Sequence, residues 1–111
     1  MTYRFYHLTP DELGTLYLGF QRNLFTRPKE KEILSIESPV FNGGCTLFFE
    51  VNFLGKLIAQ YESARAMGKF SASNAASKWL RILTILESTE AATEKQYAGA
   101  KDYFKSVEYF D

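Results

Sequence analysis

Apolar and polar positions along this chain change rhythm several times, and each change marks an element. Over residues 2–8 the pattern has period two: Tyr3, Phe5 and His7 on one side, Arg4, Tyr6 and Leu8 on the other. Aromatic content with that period predicts a short strand. Thr9-Pro10-Asp11-Glu12 then predicts a helix start. Thr9 caps, Pro10 takes the first helical position, and Glu12 reaches back to the Thr9 amide. Leu13, Leu16, Tyr17, Phe20 and Leu24 follow on one helical face. Gly14 and Gly19 weaken this helix by roughly 1 kcal/mol each relative to alanine, unless they let a neighbour approach closely. The polar stretch 26–32, with Pro28 inside it, reads as a solvated connector.

Residues 33–53 admit two readings. Leu34, Ile36 and Ser38 alternate up to Pro39, and Asn42-Gly43-Gly44 tolerates the positive φ of a tight turn. Cys45, Leu47, Phe49, Val51 and Phe53 then alternate with Thr46, Phe48, Glu50 and Asn52. This predicts a hairpin with a half-buried second strand. The rival is one long helix over residues 45–67, because Leu47, Val51, Leu54, Ile58 and Tyr61 keep helical spacing. The hairpin is preferred for its turn and its aromatic and β-branched content. From Asn52 onward a helix is predicted either way, with Phe53, Leu54, Leu57, Ile58, Tyr61 and Ala64 inward and Gly68 as its stop.

After a linker over residues 69–73, with Ser71 or Ser73 as the next cap, comes the most apolar stretch, Ala75 to Leu86. Its polar residues Ser77, Lys78, Arg81 and Thr84 form a narrow stripe, so the rest of the helix is expected to be buried, with Trp79 and Leu80 in the core. A last helix is predicted from Ser88. It has Glu90 and Glu94 near its start, Lys101 and Lys105 near its end, and Gln96, Ala100, Tyr103, Val107 and Phe110 inward. The fold expected is α+β, a single domain over residues 1–111. A small antiparallel sheet, made of the N-terminal strand and the hairpin, is packed by about four helices, and the C-terminal half is all helical. The alternative is an all-α bundle.

Composition sharpens this in a few places. Thirteen basic and thirteen acidic residues give zero net charge, so no global field draws the molecule to nucleic acid or to a membrane. Ten Phe and seven Tyr are a high aromatic count; core demand explains many of them, and a surplus on the surface would mark an interface. No run of about 18 apolar residues exists, and the N-terminal residues lack the apolar run of a signal peptide. A small soluble, cytoplasmic protein without membrane association is expected.

Candidate chemistry is sparse. His7 and Cys45 are the only residues of their kinds, too few for a Cys/His zinc site. A nucleophilic Cys45 would need a base, and His7 is the one histidine available. No glycine-rich phosphate loop and no acid–base carboxylate pair is present. The expectation is no catalytic residue, no metal, no cofactor and no enzyme. The favoured reading is a non-catalytic adaptor, inhibitor or regulator that binds another protein or a second copy of itself. Tyr97, Phe104 and Tyr109 near the C-terminus are its candidate partner-binding residues.

Residues 62–83 carry a second reading. Ala64, Met67, Gly68 and Trp79 occupy places comparable with those of a helix-turn-helix, and the segment resembles that motif. No acid lies between Ser63 and Leu86, while Arg65, Lys69, Lys78 and Arg81 do. The resemblance implies a DNA-binding regulator, with those four side chains on phosphates.

Overall fold

The computed structural model describes residues 2–37, 43–70 and 76–103 of the chain. Its elements in order are β1 (Tyr3–Leu8), α1 (Pro10–Gln21), β2 (Ile33–Glu37), β3 (Cys45–Glu50), α2 (Val51–Ala66), α3 (Ala76–Glu87), β4 (Glu90–Ala91), α4 (Glu94–Tyr97) and β5 (Lys101–Asp102). The architecture is α+β: a five-stranded antiparallel sheet in the order β4-β1-β3-β2-β5, with α1, α2 and α3 on one face.

The expected hairpin is present. β2 and β3 pair antiparallel from Ile33↔Phe49 to Glu37↔Cys45, and Gly43 has φ of +78°. Asn42, the other half of the expected turn, lies outside the described residues. β1 pairs with the far side of β3, from Tyr3↔Glu50 to Leu8↔Cys45. β3 is thus the central strand. It was expected to be half buried, yet Thr46 through Glu50 are all buried. Both its edges and both its faces are covered, so its alternation of apolar and polar residues does not alternate core and solvent.

The rival reading, one helix over 45–67, is not what forms: β3 runs straight into α2. Glu50 ends the strand and caps the helix, its carboxylate accepting from the amides of Asn52 (2.7 Å) and Phe53 (3.3 Å). α1 starts with the predicted capping box: Thr9 N–H donates to Glu12 Oε1 (2.9 Å) and Glu12 N–H to Thr9 Oγ1 (3.3 Å). α1 and α2 end alike. Asn23 (φ +57°) and Gly68 (φ +72°) are left-handed, and the next amide reaches back to Gly19 and to Ala64 respectively, at 3.0 Å each. These are paired 6→1 and 5→2 closures.

Period two divides the sheet into two faces. Leu8, Ile33, Leu47 and Phe49 join Leu16 and Phe20 of α1, Phe53, Leu57 and Tyr61 of α2, and Trp79, Ile82 and Leu83 of α3 in one core. Within it, Phe25 stacks on Tyr61 (3.9 Å, 9°) and Phe70 on Trp79 (5.8 Å, 11°). Phe25 also meets Trp79, and Tyr61 meets Phe70, closing a ring of four aromatics. Tyr61 is fully buried and its hydroxyl has no hydrogen-bond partner among the described residues. Burial pushes its ionisation upward.

Two expectations are corrected. α3 was expected to be buried but for a narrow stripe. It buries Trp79, Ile82, Leu83, Ile85 and Leu86, while Ser77, Lys78, Leu80, Arg81, Thr84 and Glu87 are exposed, Leu80 at 39%. It lies against α1 and α2, which cover one side of it. The continuous last helix from Ser88 is absent too. β4 adds two residues beside β1, α4 is one turn, and β5 adds two residues beside β2. The Thr93 amide donates to Gln96 Oε1 (2.8 Å) at the start of that turn, one arm of a capping box. The C-terminal half is therefore not all helical.

Candidate interaction face

Tyr3, Phe5 and His7 of β1, Leu34 and Ile36 of β2, and Thr46, Phe48 and Glu50 of β3 point away from the helices. The register sets them in rows: Glu90–Phe5–Phe48–Leu34–Asp102 across the middle, and His7–Thr46–Ile36 toward the hairpin end. Each residue is there because its strand alternates and its cross-strand partner shares its face.

β4 and β5 are the two outer strands, so the chain between them crosses the sheet. It crosses on this face. The Tyr97 ring lies 4.7 Å from Tyr3 and 5.9 Å from Phe48, and Phe48 lies 5.8 Å from Phe5. Beside this crossing segment a recess of about 290 Å³ is lined by Phe5, Tyr6, His7 and Glu90. Phe5, Leu34 and Ile36 are half-buried and His7 is exposed. The Tyr3 hydroxyl donates to Lys31 O (2.8 Å), and Asp102 accepts from the Lys31 amide (2.6 Å), fixing a left-handed turn at the margin. Burial, then the neighbouring Tyr97, Glu50 and Asp102, raise the pKa of Tyr3.

Of the expected partner-binding residues, Tyr97 lies on this face, half-buried. Phe104 and Tyr109 lie outside the described residues. Phe5, Leu34 and Ile36 were not singled out from the sequence. Their alternation was legible, but which face the helices would leave uncovered was not.

Three of the four cations of the expected phosphate-binding set are ion-paired with carboxylates. Lys78 Nζ pairs with Asp11 Oδ1 and Arg81 Nε with Glu12 Oε2, each at 3.3 Å, and Arg65 pairs with Glu62. The acids on α1 thus meet the cations of α3 and offset the local positive field. Lys69 is exposed beyond the end of α2. α3, the helix that would enter a groove, puts Trp79 into the core at 7% exposure. Part of the motif's turn, residues 71–75, lies outside the described residues.

Cys45 and His7 do not meet. Cys45 pairs with Leu8 and shares its face with the core, whereas His7 pairs with Thr46 on the opposite face. His7 Nδ1 is hydrogen-bonded to Thr46 Oγ1. Burial pushes the Cys45 thiol up to about 11, so it is protonated at neutral pH. Among the described residues no group of three or more His, Cys, Asp or Glu is placed to hold a metal ion, and no helix is long and apolar enough to cross a membrane.

Fold and face together define a small α+β domain with the three long helices on one face of an antiparallel sheet and an aromatic opposite face crossed by α4. Compared with protein-family models, curated proteins and solved structures, the chain matches none of them.

Proposed function

We propose that this is a non-catalytic protein that acts by binding another protein, or a second copy of itself, through the sheet face opposite its helices. One observation carries the reading: Phe5, Leu34, Ile36 and Tyr97 remain partly exposed on that face, and Phe5 also lines, with Tyr6, His7 and Glu90, a recess at its β1–β4 edge. Clustered aromatic and aliphatic side chains with a polar rim have the composition of a contact surface. The roles of adaptor, inhibitor and regulator all fit such a surface.

The test compares Phe5→Glu and Leu80→Glu for partner capture from the native host and for sedimentation. Phe5→Glu puts a charge on the proposed face, and Leu80→Glu puts one on the exposed side of α3. With circular dichroism unchanged, Phe5→Glu should abolish a capture or self-association that Leu80→Glu retains. Equal behaviour of both variants contradicts the assignment. A mobility shift of duplex DNA that weakens with added salt would instead support the nucleic-acid reading.

A further inference from the structure

We propose that residues 90–102 form a strap that opens locally, hinged at Thr89 and Tyr103, and uncovers the aromatic floor made by Tyr3 and Phe48. The inference concerns access to this face and does not depend on what binds there. From Glu90 to Asp102 no residue is buried; Ala92, Tyr97, Ala100 and Asp102 are half-buried and the others exposed. The residues on either side are held firmly: Thr89 and Tyr103 are each 4% exposed. Thr89 also receives the Arg4 guanidinium at its side-chain oxygen (3.1 Å) and at its carbonyl. The floor beneath is equally closed, with Tyr3 at 4% and Phe48 at 2%.

A long segment that buries little, between two ends that bury much, belongs to the low-stability end of local unfolding. Its ladders are two residues each, and its helix is a single turn. Opening parts the two-residue β4–β1 and β5–β2 pairs, releases the Lys31 amide from Asp102, lifts the Tyr97 ring from Tyr3 and Phe48, and breaks the bond from the Ala92 amide to Tyr3 O (3.0 Å). The β1–β3 ladder need not change, because its hydrogen bonds lie in the plane of the sheet below. Tyr97 therefore acts as an internal plug, and its position indicates that an aromatic ring fits this floor.

Native-state hydrogen exchange on the full chain tests this. The Ala92, Gln96 and Ala100 amides should exchange at least about tenfold faster than β1–β3 ladder amides, with little denaturant dependence. Tyr97→Ala should speed Ala92 further and leave the ladder amides unchanged, and Tyr97→Phe should restore the slower rate. The proposal is overturned if the strap amides of the wild type exchange only at the global rate. Tyr97→Ala accelerating ladder and strap amides alike would overturn it as well. The wild-type comparison stands alone should Tyr97→Ala fail to fold.

Discussion

Two glycines in α1 carry opposite consequences for the same substitution. A Cβ at Gly14 would meet nothing within 4 Å, whereas one at Gly19 would stand 2.5 and 2.6 Å from the Phe25 ring. That ring cannot retreat, because it is stacked on Tyr61 at 3.9 Å. Gly14→Ala should stabilise by about 0.4–1 kcal/mol through reduced freedom of the unfolded chain. Gly19→Ala should destabilise by about 1–3 kcal/mol through overpacking. Thermal melts separate the two, at about 4–8 °C per kcal/mol for a domain of this size. Cys45 gives a pH prediction. Its folded pKa, about 11, lies above the ordinary 9.0, so the unfolded chain loses its proton first as pH rises. The stability it contributes is present below about pH 9 and is lost between there and about 11. Alkylation by iodoacetamide should be slow at pH 8 beside a denatured control and should accelerate above pH 10. A thiol that reacts at pH 8 as fast as in the denatured chain would contradict its burial.

At the scale of elements, α3 shows why burial and apolar content are different quantities. Trp79 is in the core, offset-stacked on Phe70, while its neighbour Leu80 faces outward. Trp79→Ala should cost about 3–5 kcal/mol, the range for a large buried aromatic. Denaturant melts measure it, and wild-type tryptophan fluorescence should be blue-shifted and shielded from iodide. An unchanged melting temperature would place Trp79 at the surface. Elements governed by local rules were legible in the sequence: the capping box at Thr9, the positive φ at Gly43 and Gly68, and the alternation of β1 and β3. Residues 88–103 were not. Ala, Glu, Gln and Lys there favour helix. Yet Tyr97 and Tyr103, six positions apart, fall about 120° from each other around a helix, so a continuous helix would put them on different flanks. Pairing with β1 and β2 prevails over propensity there. Asn23 was overlooked as a helix stop although asparagine tolerates the left-handed conformation.

At the scale of the molecule, the sequence disclosed a high aromatic count but not which rings would reach the surface. The candidate face depends on the register between β1 and β3, which joins Phe5 to Phe48, and on a crossing segment that carries Tyr97 back over both. Neither is encoded by local spacing. The basic stretch met the reverse problem. Its cations are clustered in sequence, but Asp11 and Glu12 are brought to Lys78 and Arg81 only by the packing of α1 on α3. The contact is assigned to the sheet face opposite α1, α2 and α3. Photo-crosslinking in the native host tests it most directly, with a benzophenone amino acid replacing Phe5, Ile36 or Thr84 in turn. Specific adducts with one partner, or with a second copy, should form from positions 5 and 36 and not from position 84 on the exposed side of α3. Adducts from position 84 alone would contradict it.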